Sequence, residues 1–187
     1  MKKLLQIIIL ILITACGSTK IKSDLTFEQK FKQCTDEKYD YLASLSLPTD
    51  TLLYQKANIH NLLENKLIID GYLEEISKNG YLKLLDKNIP PKFFEDFKNE
   101  IGFAPDLLFP YNSFISCYGI LYERLNLFDK KSWQFKFGYA FNQFEAYGNM
   151  DIKSSYLKAV VKEIPERKFQ NIIYRKVLLD LIYRYYN

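Results

Sequence analysis

Two stretches of the sequence decide how it folds. Residues 78–94 read KNGYLKLLDKNIPPKFF and residues 153–169 read KSSYLKAVVKEIPERKF. Eight of the 17 aligned positions are identical: Lys78 and Lys153, Tyr81 and Tyr156, Leu82 and Leu157, Lys83 and Lys158, Lys87 and Lys162, Ile89 and Ile164, Pro90 and Pro165, Phe94 and Phe169. Each stretch reads as a short amphipathic helix closed by Ile-Pro. Proline cannot continue the hydrogen-bond ladder, but it suits the first turn of the helix that follows.

Outward from these stretches the likeness continues. Upstream, Gly71 pairs with Gly148 and Leu73 with Met150 once two residues are gapped. Earlier still, Phe31-x-x-Cys34 followed by Tyr39-Asp40-x-Leu42 mirrors Phe114-x-x-Cys117 followed by Tyr122-Glu123-x-Leu125, with Thr49 and Ser132 as matching helix caps. We read a duplicated four-helix unit, over 26–102 and 110–187. The competing explanation is that Lys-rich amphipathic helices look alike by composition.

The expected architecture is all-α, with about eight helices packed as one domain and no strand. Residues 26–45 keep one face apolar through Phe27, Phe31, Cys34, Leu42 and Leu45. Pro48 breaks that helix, and Thr49 or Asp50 caps the next, which carries Leu52, Leu53, Ala57, Leu62, Leu63 and Leu67 and stops at Gly71. Further helices are expected over 77–87, from Pro90-Pro91 to Ile101, and over 111–127, 132–147, 151–163 and 166–185. The stretch from Leu107 to Tyr122 is uncharged, but it is 16 residues long and holds Pro110. That is too short for a membrane span of about 20 residues, so it reads as a buried helix.

Composition agrees. The chain has 187 residues, a formal charge of +4, 48% apolar residues and only 7 Gly and 6 Pro. Collagen-like, low-complexity and Gly-rich phosphate-loop folds are excluded. The outlier is aromatic content, 14 Phe, 15 Tyr and 1 Trp, none of it before Phe27.

The N-terminus is of a different kind. Lys2 and Lys3 precede an apolar run from Leu4 to Ala15, and Ile13-Thr14-Ala15-Cys16 follows as its end. This arrangement resembles the lipobox signal of bacterial lipoproteins. The resemblance covers residues 1–16 only. It implies a diacylglyceryl group on the Cys16 sulfur, cleavage that removes residues 1–15, and acylation of the new amine. Residues 16–25 are then an acylated cysteine and a polar tether, and 26–187 the helical domain. An ordinary signal peptide cut near Ser18 and an uncleaved anchor are the alternatives. Gly17-Ser18-Thr19-Lys20 lacks an Asp directly after the cysteine and lacks an acidic cluster. By the same resemblance this implies a lipid-anchored protein on the periplasmic face of the outer membrane. Without residues 1–15 the charge is only slightly positive, and no basic patch for nucleic acid is expected.

Candidate chemistry is sparse. Cys34 and Cys117 occupy matching positions, so a pseudo-twofold arrangement would bring them together as a disulfide. Two buried free thiols are the alternative. No C-x-x-C pair points to redox catalysis. His60 is the only histidine and has no companion at metal-ligand spacing, so it reads as a structural or surface residue, and no metal or cofactor is expected. Glu74-Glu75 and Glu95-Asp96 are adjacent pairs; neighbouring residues on a helix diverge by about 100°, so the pairs do not converge and read as solvated charge. Interface-type residues do concentrate in two places. One is the C-terminus, with Arg175, Tyr183 and Arg184. The other is one side of the 111–127 helix, with Tyr111, Tyr118 and Tyr122. Both are candidate binding surfaces, set against plain packing. Three functional readings follow: a lipid-anchored, non-enzymatic binding or scaffolding module with a protein partner in the envelope; a periplasmic immunity protein against an envelope-targeting toxin; and an envelope hydrolase using two carboxylates.

Overall fold

Ser77, Ser132 and Ser154 each accept, through the side-chain hydroxyl, the backbone N–H three residues on, and so satisfy a donor that the first helical turn leaves open. Pro91 opens another helix at its first position, and Gly102, at φ 80°, ends it in the left-handed conformation. The structure, a computed structural model, describes residues 26–42, 44–45, 53–125 and 129–187. Cys16, the signal and tether over 1–25, the caps Thr49 and Asp50, and Leu52 and Leu127 lie outside the described residues, as do the side chains of Leu53, Ala57 and Phe114.

Among the described residues there are nine helices and no strand. They are α1 (26–42), α2 (Leu53–Ile69), α3 (Lys78–Leu84), α4 (Pro91–Ile101), α5 (Tyr111–Arg124), α6 (Trp133–Tyr147), α7 (Ser155–Glu163), α8 (Glu166–Phe169) and α9 (Lys176–Tyr186), with tighter 3-10 turns at Asp106–Leu108 and Ile172–Tyr174. The all-helical class is as expected.

The helix expected over 166–185 is instead broken into α8, a 3-10 turn and α9. Two side chains make the break. Asn171 accepts the Ile173 N–H at 3.2 Å, and Arg175 Nη1 donates to the Phe169 carbonyl at 2.6 Å. These bonds satisfy backbone groups that an unbroken helix would have paired. The helix expected from Asp151 starts at Ser155, because Asp151 is held in a turn: its N–H donates to the Gly148 carbonyl and its carboxylate accepts the Lys153 N–H, both at 2.9 Å. Asn149 and Met150 are the left-handed residues there, at φ 51° and 57°, whereas Gly148 is not.

α9 runs through the centre of the molecule, with Val177, Leu178, Leu179, Leu181 and Ile182 all buried, and packs on α2, α4 and α5. α7 packs on α6 and α3. On the other side of α5, Phe27 and Phe31 of α1 meet the Tyr118 ring edge to face. Cys34 of α1 and Cys117 of α5 are joined by a disulfide, their Cα atoms 5.8 Å apart. Closing so long a loop stabilises by about 4 kcal/mol in the chain-entropy model.

The matched stretches meet each other. α3 lies against α7, Lys78 Nζ donates to the Lys162 carbonyl at 2.7 Å, and Lys158 pairs with Asp86 at 2.5 Å. Ile89 and Ile164 are both buried, as are Phe94 and Phe169. The likeness then stops. Tyr81 is fully buried while Tyr156 is 39% exposed. The last helix of the second stretch has 4 residues against 11 in the first, and α9 follows it with no counterpart. The expected duplication into two four-helix units is thus not confirmed by the arrangement of the helices. No helix among the described residues is long and apolar enough to cross a membrane.

Candidate functional site

Two helix–helix contacts are the candidates for a site. The first is the seam of α2 with α9. His60 and Glu64 stand one turn apart on α2, so they share a face. Asp180 of α9 lies opposite His60, with Nε2 and Oδ1 2.7 Å apart. The Tyr39 hydroxyl of α1 donates to the Asp180 carboxylate at 3.2 Å and lies 2.9 Å from His60 Nε2. Burial pushes the His60 pKa down, against the pull of Asp180. Burial also pushes Asp180 up, against the pull of His60.

One turn along, Arg175 forks onto Glu64 through Nε at 2.7 Å and Nη2 at 2.9 Å, and the Tyr81 hydroxyl donates to the same carboxylate. Glu64 and Arg175 are almost fully buried, at 3% and 4% exposure. Each charge is therefore matched inside the protein, which is the condition for keeping ions out of water.

A cavity of about 360 Å³ adjoins His60 and Tyr39. Its two carboxylates, Asp36 and Asp40, sit one turn apart on α1 and do not face each other across it. Lys176 is held there by Asp36 at 3.4 Å and by the Tyr39 ring at 4.8 Å. No Ser, Thr or Cys lines the cavity among the described residues; the hydroxyl beside His60 is that of Tyr39, already engaged with Asp180. Nor do any three His, Cys, Asp or Glu side chains among the described residues converge on a metal position.

The second contact, α5 with α6, is finished differently. Tyr118 and Tyr122 from α5 and Phe135, Phe137, Tyr139 and Phe141 from α6 wall a groove of about 180 Å³. Two helix-interior glycines line it. A Cβ on Gly119 would meet nothing within 4 Å, and one on Gly138 would come 3.1 Å from Tyr118 Cε1. Glycine inside a helix costs roughly 0.5–1 kcal/mol relative to alanine. Here the missing side chains leave space where packing would otherwise close. The Tyr118 hydroxyl donates to the Gln134 carbonyl, and burial holds its phenol well above the ordinary pKa, so the ring stays neutral. Among the described residues the lining contains no charged side chain. For scale, an apolar cavity of about 150 Å³ accommodates a benzene molecule. The groove therefore matches one uncharged apolar group of ring size.

Of the residues singled out in the sequence, Tyr118 and Tyr122 come together here. Tyr111 lies apart, beneath the Arg184 guanidinium at 5.1 Å. Arg175 and Tyr183 are corrections. Both are core residues, Arg175 bound to Glu64 and Tyr183 stacked on Phe109 at 4.2 Å, 1% exposed. They form no surface because α9 is central and residues 177–183 are buried without interruption. Sequence reasoning missed Gly119, Gly138 and the α6 rings. Two glycines inside otherwise good helices were the available signal.

Comparison with protein-family models, with curated proteins and with solved structures finds no match to this chain.

Proposed function

We propose that the protein is a non-enzymatic binding module of the bacterial cell envelope, held at a membrane through acylated Cys16, and that the α5–α6 groove is where it binds. The observation that carries the binding assignment is the groove itself: six rings around an unfilled space opened by Gly119 and Gly138. The lipobox resemblance of residues 1–16 and the polar run after it support the anchored location, on the periplasmic face of the outer membrane. The groove takes an uncharged apolar group presented at that membrane.

The test has two parts. Intact-mass measurement of the membrane-extracted protein is expected to give a chain that starts at an acylated Cys16, and Cys16→Ala is expected to stay unprocessed. A photo-crosslinking residue placed at Tyr122 in living cells is expected to give a discrete adduct. That adduct is expected to disappear when Gly119→Leu fills the groove, and to be missing when the crosslinker stands at Tyr185, on the last turn of α9. An adduct indifferent to Gly119→Leu would remove the groove from the proposal, and an unmodified chain beginning at Met1 would remove the anchor.

A further inference from the structure

The first ring of α1, Phe27, meets Trp133, the first residue of α6, edge to face at 6.2 Å. The point where the N-terminal segment joins the folded body therefore lies beside the start of α6. Gly17 to Leu25 can span at most about 30 Å, so an anchor at Cys16 would keep this end of the molecule close to the bilayer.

That end has the chemistry of a membrane-facing surface. Lys130, Lys131 and Lys136 are exposed, and among the described residues none of their ammonium groups meets a carboxylate. Asp129, the acid nearest in sequence, is occupied locally, accepting the Lys131 N–H at 2.9 Å. Tyr139 is 59% exposed and stacks on the half-buried Phe135. Lys130, Phe135, Lys136 and Tyr139 wall one shallow concavity, in which Glu163 is the one acid among the described residues. Aromatic rings with a polar tip and long lysines are the side chains that suit the bilayer–water boundary. The excess of ammonium groups complements anionic headgroups.

We propose that this face, the start of α6 with Lys130, Lys131, Lys136 and Tyr139, rests on an anionic lipid surface and turns the mouth of the α5–α6 groove toward the membrane. The inference rests on acylation at Cys16. Phe135 and Tyr139 belong to both the face and the groove wall, so whatever enters the groove arrives from the bilayer side.

The chain has a single tryptophan, so one probe can be moved across the surface. In full-length acylated protein, Trp133→Phe with Tyr139→Trp places it on the proposed face, and Trp133→Phe with Tyr185→Trp places it on the far end of α9. Each protein is reconstituted on vesicles of phosphatidylglycerol or of phosphatidylcholine with brominated acyl chains, and flotation reports anchoring. At position 139, quenching is expected to be several-fold stronger on the anionic vesicles. It is expected to fall to the level of position 185 when Lys130→Glu, Lys131→Glu and Lys136→Glu are added, with flotation and thermal unfolding unchanged. Flotation with equal quenching at positions 139 and 185, or with quenching indifferent to the lysines, overturns the docking face alone. Failure of the parent protein to float overturns the anchor and this inference together. Quenching that disappears only when an acidic protein is added in place of anionic lipid assigns the face to a protein and also overturns it.

Discussion

The α2–α9 seam and the α5–α6 groove are both helix contacts rich in reactive or sticky side chains, and they are completed in opposite ways. In the seam, Glu64, Arg175, His60 and Asp180 are buried, and each has its partner inside the molecule. In the groove, few polar atoms are buried and the apolar wall faces unfilled space. A satisfied charge network has nothing left to offer a ligand, whereas an unfilled apolar wall has contact area in reserve. On the function proposed above, binding draws on the place where packing stops short rather than on the place where ionisable residues gather.

Disrupting the seam should have the largest effect. Glu64→Ala leaves the Arg175 guanidinium buried without its carboxylate, and the unfolding free energy from urea titration is expected to fall by about 3–5 kcal/mol. Adding Arg175→Met is expected to recover much of that loss, since an apolar replacement carries no charge to bury. Unchanged urea midpoints for Glu64→Ala would mean that the seam does not hold the fold. At the other end of the seam, His60→Ala removes one partner of Asp180 and is expected to cost about 1–3 kcal/mol.

The same end should respond to pH with two opposite signs. Burial lowers the His60 pKa below its ordinary value, so the unfolded chain binds the proton first as pH falls. The His60 contribution is present above about pH 6.5 and is lost as pH drops through the folded pKa. Burial raises Asp180, so its contribution is present at low pH and is lost as pH climbs through its folded value. Thermal melts across this range separate them. In Asp180→Asn, Tm is expected to fall on acidification below about pH 6.5, the His60 component alone. In His60→Gln that acid-side loss is expected to be missing. Identical profiles in the two variants would refute the assignment of His60 and Asp180 to one buried pair.

The smallest effect should come from the groove, and it should be a gain. Gly119→Ala puts a methyl into open space in a helix interior, and stability is expected to rise by about 0.5–1 kcal/mol. Gly138→Ala is expected to gain less, because its methyl would press on Tyr118 Cε1. A loss of stability in Gly119→Ala would show that the groove is already filled in solution.

Much of the fold could be read from local chemistry. The serine caps, the Pro90-Pro91 start, Gly102 and the apolar spacing of α1, α4 and α9 specify an all-helical body, because each acts within one or two helical turns. Direction in space could not be read this way. Arg175 and Tyr183 looked like interface residues by type, but which way they point depends on α9 being surrounded by α2, α4 and α5. The dense apolar run Val177, Leu178, Leu179, Leu181 and Ile182 carried that information and outweighs the residue types. Likewise Tyr81 and Tyr156 both open a Tyr-Leu-Lys triplet, yet one is buried with its hydroxyl on Glu64 and the other is exposed, a difference set by what each helix packs against. The groove was half legible. Tyr118 and Tyr122 share a helix side, but the opposing rings come from α6, and their meeting depends on two helices crossing.

The disulfide also fixes a route for mechanical load. Cys34 stands midway along α1, about two turns from the end nearest the membrane anchor proposed above, and Cys117 stands in α5, two residues from the groove glycine. If a captured partner pulls on the groove while the N-terminus is held, tension crosses from α1 to α5 through a covalent bond. Residues 35–116, with α2, α3 and α4, then lie outside that covalent line of force and need not stretch for the grip to hold.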